Sequence, residues 1–229
     1  MKLVQLIRPV AISCLISMPL TTFANSNFVE LKAGVDQPTA LQGNTVLQNA
    51  TAATTYVGGI AVGKRFMDKF SVDLEYMNRG KSKIRDYASN GDAYNQWGYR
   101  SDSLMLNLSL DIGKISSDFT PYVKLGAGVS RNKSDNFIDY VAGSNGGTTT
   151  YNGKTINQFA WQIGTGVNFS ITPMYDTQVQ YMFVNRGKIE TATRSISVPA
   201  TGNTVSKSVV AQTGKLQDHI ITIGIRLKF

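Results

Sequence analysis

The stretch Ile221-Thr222-Ile223-Gly224-Ile225-Arg226-Leu227-Lys228-Phe229 ends the chain with a strict alternation of side chains. Large apolar residues occupy every odd position, and the even positions carry small or charged residues. A period of two predicts a β-strand with one apolar and one polar face. A soluble sheet also alternates, so this strand alone does not decide between a water-soluble and a membrane-spanning sheet.

Length and composition favour a single all-β domain. The chain has 229 residues, with 21 glycines and 6 prolines, a size at which a β-barrel commonly forms one domain. Mean hydropathy is −0.11, as expected when apolar and polar residues alternate along strands. The sequence contains no run of about 18 apolar residues, so it predicts no transmembrane helix.

The N-terminus is typical of a secretory signal peptide. Lys2 and Arg8 give a positive start, an apolar segment spans 10–20, and Ala24 ends a small-residue cleavage site. We therefore predict a signal peptide over residues 1–24 and a mature domain over residues 25–229. The single cysteine, Cys14, lies in the leader, so the mature domain is predicted to lack disulfides and cysteine metal sites.

Eight alternating segments follow in the mature chain. They span 28–35, 56–66, 70–78, 104–112, 122–130, 158–169, 175–184 and the closing strand. Each has about 8–12 residues, the length of a tilted membrane-spanning strand. The pattern predicts an all-β fold, an eight-stranded antiparallel up-and-down transmembrane β-barrel.

The connections between these segments alternate in length. Three are short (67–69, 113–121 and 170–174), and four are long (36–55, 79–103, 131–157 and 185–218). Outer-membrane barrels have short periplasmic turns and long outer loops, whereas a soluble lipocalin-like barrel has no reason to place every long loop at one end. Aromatic residues mark both predicted interfaces: Phe66, Phe70, Phe169 and Phe229 at the short-turn ends, and Tyr76, Phe159, Trp161, Tyr181 and Phe183 at the long-loop ends.

Charged residues fall mainly on the inward face. The acids are Glu30, Asp73, Glu75 and Asp111, and the bases are Lys32, Arg65, Lys124 and Arg226. Buried charges persist when they are paired and hydrogen-bonded, and eight strands leave little more room than side chains fill. We predict a closed network of ion pairs; the alternative is an ion pathway, which one sign of charge usually lines.

Catalytic and cofactor chemistry find little support. His219 is the only histidine, and it opens the last strand on the lipid-facing side without a serine beside it. Acyl-transfer chemistry needs a nucleophile and a base within hydrogen-bond reach, and a zinc site needs several nitrogen or sulfur ligands. We expect no enzyme activity, no cofactor and no nucleic-acid partner.

A short motif occurs twice where a strand leaves the membrane. Asn-Arg-Gly-Lys stands at 78–81 and again at 185–188, each time after a Tyr-Met pair. One interpretation is a shared turn at the strand exit; the other is a basic rim that attracts lipopolysaccharide phosphates, sulfated glycans or acidic protein patches. The candidate partner-binding residues are Arg79, Lys81, Lys83, Arg85, Arg186, Lys188 and Arg194.

Two internal stretches and the closing strand carry a family resemblance. Phe-Thr-Pro-Tyr-Val-Lys-Leu-Gly-Ala-Gly-Val at 119–129 and Phe-Ala-Trp-Gln-Ile-Gly-Thr-Gly-Val at 159–167 resemble strands of the OmpA-like and OmpX-like outer-membrane barrels. The loop style is similar to that of surface adhesins of rickettsiae. The resemblance implies a bacterial outer-membrane protein with loops at the cell surface, in contact with outer-membrane lipids and lipopolysaccharide. It also implies an assembly signal read by the barrel-assembly machinery, formed by Thr222, Gly224, Ile225, Leu227 and Phe229.

Two functions follow from this interpretation. The first is an adhesin that binds host-surface, extracellular-matrix or serum proteins through long basic loops, of which 143–153 and 199–208 are rich in small polar residues. The second is a structural barrel or narrow channel without a dedicated ligand. Fold does not choose between them.

Overall fold

The computed structural model describes residues 27–39, 53–66, 69–87, 92–113, 115–116, 118–143 and 146–229. The predicted signal peptide, residues 1–24, lies outside these residues, as do 40–52 of the first predicted loop and 67–68 of the first short turn. In the part of the chain that is described, no helix has the length and apolarity to cross a membrane.

The described residues form ten β-strands in one antiparallel sheet. They are β1 (Asn27–Pro38), β2 (Thr55–Phe66), β3 (Phe70–Tyr87), β4 (Ala93–Asp111), β5 (Phe119–Val141), β6 (Gly147–Gly153), β7 (Thr155–Ser170), β8 (Tyr175–Pro199), β9 (Val205–Ser208) and β10 (Thr213–Lys228).

Eight of these strands close a ring in the order β1, β2, β3, β4, β5, β7, β8, β10. The seam runs between β1 and β10, with Phe28 opposite Lys228 at one end and Pro38 opposite Asp218 at the other. The predicted eight-stranded up-and-down barrel is confirmed. The two extra strands lie at the long-hairpin end, where β6 joins β5 to β8 and β9 pairs with β8.

The two faces of the wall have opposite chemistry. Leu31 is 62% exposed and Ile225 is 59% exposed on the outside, whereas Glu30 and Lys32 are buried inside. This inversion of a soluble protein is what a lipid-facing barrel requires. The aromatic residues expected at the two interfaces all lie on the outer face.

A ring of outward polar side chains ends the apolar band at the long-hairpin end. We call it the polar ring; its members are Gln37, Thr54, Asn78, Asp102, Arg131, Asn157, Asn185 and Gln217. Several of them face each other across strands, including Asn78 with Asp102 and Asp102 with Arg131. The ring marks the height at which the wall leaves hydrocarbon.

The wall continues well beyond the polar ring. β3, β4, β5 and β8 have 18, 19, 23 and 25 residues, so the prediction of strands of about 8–12 residues was wrong for these four, whereas β1 and β2 have 12 residues each. The predicted long loops 79–103, 131–157 and 185–218 are mostly hairpin strands, and the stretches rich in small polar residues, 143–153 and 199–208, contain β6 and β9. We call the strands beyond the polar ring the distal sheet.

β-Bulges explain why alternation failed to show these extensions. The register of β3 against β4 shifts between Arg79 and Ser82, and β8 changes its inward parity around Gly187, which has a φ of 76°. A one-residue slip moves every later side chain to the other face. The repeated Asn-Arg-Gly-Lys motif is therefore a bulge in a continuing strand in both places, and the interpretation of a shared turn at the strand exit was wrong.

Candidate functional site

The barrel interior below the polar ring holds a charge cluster of six buried side chains. Its members are Glu30, Lys32, Asp73, Glu75, Lys124 and Arg226. Lys32 Nζ lies 3.0 Å from Glu30 Oε1 and also pairs with Glu75. Lys124 Nζ lies 3.1 Å from Asp73 Oδ2 and 3.5 Å from Glu75 Oε2. Three bases thus face three acids, so the interior charge is balanced.

The two arginines of the predicted network differ in burial. Arg226 is buried and its Nη2 lies 2.9 Å from Glu30 Oε2, with its guanidinium 4.1 Å from the ring centroid of Phe28. Arg65 pairs with Asp111 at 3.1 Å, but its side chain is 33% exposed. The structure therefore brings six of the eight predicted residues together and leaves Arg65 and Asp111 as a separate pair at the short-turn mouth.

Neutral side chains complete the hydrogen bonding of the cluster. Gln162 Nε2 donates to Glu75 Oε1 at 3.0 Å, and Asn107 Nδ2 donates to Asp73 Oδ1 at 2.7 Å. Tyr122 Oη donates to Gln178 Oε1 at 3.0 Å. Asn107, Gln162 and Gln178 lie on the same inward face as the charged residues, although the predicted network contained the charges alone.

An apolar layer lies above the charge cluster. Seven buried residues form it: Val57, Met77, Met105, Ala160, Met182, Val184 and Ile220. Long, unbranched methionines fill irregular space between strands. The alternation along the strands places most of these residues on the inward face, but the predicted interior was polar and an apolar layer was not expected.

Above this layer lies a second buried charge group, formed by Asp36, Arg79, Arg186 and Asp218. Arg186 makes a two-pronged contact with Asp218, and Arg79 Nε lies 3.4 Å from Asp36 Oδ2. The prediction that Arg79 and Arg186 belong to an exposed rim was wrong, since each is at most 2% exposed. In the repeated motif the arginine turns inward and the glycine that follows forms the bulge.

The distal sheet has its own core. Ile84, Trp97, Tyr99, Phe137, Ile189 and Leu216 form a buried cluster, against which Tyr151 packs. Trp97 Nε1 donates to Ser134 Oγ at 2.7 Å, and burial raises the pKa of Tyr99 to about 12. Four successive layers of side chains therefore occupy the interior of the described wall.

Replacing Trp97 by alanine should loosen the distal sheet while the membrane part of the barrel stays folded. Deleting a buried tryptophan costs about 3–5 kcal/mol, and Trp97 packs in the distal cluster. Limited proteolysis in membranes should then cut the distal hairpins and leave a protected barrel fragment. Tyr87→Ala, on the exposed side of the same hairpin, is the control and should stay resistant; equal resistance of both variants would contradict the assignment.

The remaining basic candidates lie on the outer surface. Lys81 pairs with Asp135, and Lys188 Nζ lies 3.9 Å from Glu190 Oε2. Lys83 is exposed. Arg85 and Arg194 belong to the distal sheet, where Arg194 Nε donates to Ser206 Oγ at 2.9 Å.

Arg85 is held within a row of tyrosines. Tyr87, Tyr94 and Tyr140 lie opposite one another on β3, β4 and β5, with ring centroids 6.1 Å and 5.1 Å apart. The Arg85 guanidinium lies 5.9 Å and 5.7 Å from the first two rings, and its Nε donates to Gln96 Oε1 at 2.9 Å. We call Tyr87, Tyr94 and Tyr140 with Arg85 the tyrosine ladder. The sequence alone does not reveal the ladder, because the three tyrosines align across the strands only when the positions of the bulges are known.

His219 and the closing strand complete the predicted residues. His219 Nδ1 lies 2.6 Å from Tyr181 Oη on the outer face. On β10, Thr222 and Gly224 face inward, Ile225 and Leu227 face outward, and Phe229 exchanges backbone hydrogen bonds with Asn27. Among the residues that the structure describes, no group of three or more His, Cys, Asp or Glu side chains could hold a metal ion.

The family follows from comparison with known proteins. The model of the outer membrane protein β-barrel domain matches residues 10–229. The chain belongs to this family. It is a bacterial outer-membrane protein, so the short turns face the periplasm and the distal sheet stands at the cell surface.

Individual relatives are more distant. Outer membrane protein PagN of Salmonella typhimurium is 28% identical over 176 residues, which is 71% of this chain and 70% of PagN. RC1281 of Rickettsia conorii, whose name describes it as a candidate adhesin, is 25% identical over 160 residues, or 67% of this chain and 63% of RC1281. The crystal structure of Neisserial surface protein A matches with a TM-score of 0.55 at 15% identity, covering 91% of this chain and all of that one, and shows the shared fold.

Proposed function

We propose that this protein is a surface adhesin whose distal sheet binds a host-surface, extracellular-matrix or serum protein. One observation carries the proposal: the barrel wall continues past the membrane as an ordered sheet that presents the tyrosine ladder outward. The adhesin name of RC1281 supports the same class of function.

The tyrosine ladder has the chemistry of a protein-binding surface. Tyrosine and arginine are enriched in interfaces and at the residues that dominate binding energy. Tyr87 is 59% exposed, and three hydrogen-bonding or ring contacts hold Arg85 in place before any partner arrives. A side chain that is already ordered loses less entropy on binding.

Charge around the distal sheet favours a partner with acidic patches. Arg85 and Arg194 are exposed on the distal sheet, and Lys188 lies nearer the membrane. Attraction at an exposed surface is screened over about 8 Å at physiological ionic strength, so attachment should weaken as salt rises. The filled interior favours an adhesive function over a channel, because neither charge layer leaves one sign lining an open path.

Removing the tyrosine ladder should abolish attachment without affecting assembly. The variant is Tyr87→Ser, Tyr94→Ser and Tyr140→Ser, displayed on a non-adherent bacterium. We expect attachment to host cells and immobilised matrix proteins to fall at least tenfold, because three outward-facing rings leave the contact surface. Cell-surface protein is quantified in parallel by antibody labelling.

The matched control removes exposed apolar side chains from another edge. Val205 and Val210 are 42% and 85% exposed, and the variant Val205→Ser with Val210→Ser should attach like the wild type. Equal attachment by the ladder variant, or no attachment by the wild type, would exclude this adhesive surface and leave a structural barrel.

A further inference from the structure

A second basic surface lies lower on the wall, and it extends from the polar ring, with which it shares Arg131, towards the tyrosine ladder. We call it the lower basic patch; it consists of the exposed side chains Lys81, Lys83, Arg100, Arg131 and Lys133 on β3, β4 and β5. Strand pairing places Arg100 opposite Lys133 and Lys83 opposite Gly98. Because of the bulges, the alternation in the sequence does not show that these residues share one surface; the sequence indicated only separate basic loops.

The patch carries excess positive charge. Its five cations face two acids on the same surface, Asp102 and Asp135, which leaves an excess of three. Asp135 pairs with Lys81, and Asp102 accepts a hydrogen bond from Asn78. Like charges directly opposite on neighbouring strands destabilise a sheet, so the Arg100–Lys133 pair gains from a bridging anion.

A separate hollow, which neither Arg100 nor Lys133 lines, lies beside Lys83 and has room for a second anion. Gly98 has no side chain, and a Cβ there would lie 2.7 Å from Asp135 Oδ2. The resulting outward cavity has a volume of about 390 Å³ and is lined by Lys81, Lys83, Gln96, Gly98, Asp135, Asn136 and Ile138. The Lys83 ammonium makes no ion pair or side-chain hydrogen bond with the part of the chain that is described.

The height of the patch identifies its occupant. Val129, 53% exposed, is the last outward apolar residue of β5 before Arg131 and Lys133. At about 3.3 Å per residue and a tilt near 40°, these two side chains start roughly 5 and 10 Å above Val129. That is the level of lipid headgroups, and the patch faces sideways towards them rather than outwards to another cell.

We propose that the lower basic patch binds the phosphate groups of lipopolysaccharide in the surrounding outer leaflet. Lys83 and the Gly98 hollow take one phosphate, and Arg100, Arg131 and Lys133 pair with its neighbours. Lys81 and Lys83 then contact the membrane instead of a host protein. The proposal depends on the outer-membrane location and is independent of adhesion.

The test uses the refolded barrel in detergent and purified rough lipopolysaccharide as the probe. The variant Lys83→Gln, Arg100→Gln and Lys133→Gln should bind at least tenfold more weakly than the wild type. A matched variant away from the outer-leaflet headgroups, Lys64→Gln and Lys69→Gln at the short-turn end with Lys207→Gln on β9, removes the same charge and should bind within about twofold of the wild type.

Dephosphorylated lipopolysaccharide separates phosphate pairing from acyl-chain contact. Wild type and patch variant should bind it equally weakly. Equal losses in the two triple variants, or undiminished wild-type binding to the dephosphorylated glycolipid, would overturn the proposal. Attachment of the patch variant to host cells should be unchanged, so failure here and failure of the adhesive surface give different results.

Discussion

Replacing Lys124 by methionine should destabilise the barrel by roughly 3–5 kcal/mol, the usual cost of breaking a buried ion pair from one side. Lys124 is 1% exposed and contacts both Asp73 and Glu75. Methionine has a similar volume, so the loss comes from two carboxylates left with fewer positive partners and not from a cavity. Urea titration of the barrel folded in lipid vesicles, followed by tryptophan fluorescence, measures the change.

Arg65 provides the control for that experiment. Its pair with Asp111 sits at the short-turn mouth with the arginine 33% exposed, where water screens the charge. Arg65→Met should therefore cost less than about 1 kcal/mol. Adding Glu75→Gln to Lys124→Met should recover part of the loss, because the two sites share one network. Similar losses for Lys124→Met and Arg65→Met would contradict the closed network.

The filled interior explains why function is best sought on the outside of the wall. Three acids and three bases balance in the charge cluster, a methionine-rich layer and the second buried charge group follow, and the distal cluster around Trp97 ends the column. Such a column stabilises the wall that carries the tyrosine ladder and the lower basic patch. Binding surfaces on a rigid scaffold keep their side chains in place.

The sequence predicted the membrane part well because one rule acts along its whole length. On β4, Leu104, Leu106 and Leu108 face lipid while Met105 and Asn107 face inward, and no bulge interrupts this period of two. Strand pairing, inward charges and the closing strand all follow from that alternation.

The distal part could not be predicted because the same rule breaks there. Gly80 and Gly187 lie at bulges beyond which β3 and β8 turn the alternate set of side chains inward. If the alternation of the membrane part is continued past these bulges, Ile84 and Ile189 are assigned to the outer face, although both are buried inside. Arg79 and Arg186 looked exposed because they precede glycines that resemble turn residues. The buried apolar cluster around Trp97 in the distal sheet could therefore not be predicted, because no uninterrupted alternation links its residues to the barrel strands below.

Changing Ile225 to arginine should nearly abolish assembly of the barrel in cells. Ile225 is 59% exposed to lipid on the closing strand and lies opposite Leu31 at the seam. A charge there costs roughly 2–4 kcal/mol near the bilayer midplane. His219→Arg, six residues higher on the same face and at the interface, should assemble normally because that cost falls to about 0–1 kcal/mol there.

Deleting Phe229 separates folding from recognition by the barrel-assembly machinery. Phe229 and Asn27 exchange two backbone hydrogen bonds, at 3.1 Å and 2.9 Å, a small part of a seam that runs along all of β1. The shortened chain should therefore fold into liposomes in vitro but accumulate unassembled in the periplasm, because the terminal aromatic of the proposed signal is missing. Heat-modifiable mobility and protease resistance in isolated outer membranes report assembly. Wild-type yields in cells would contradict the signal, whereas failure in both systems would show that Phe229 acts through stability alone.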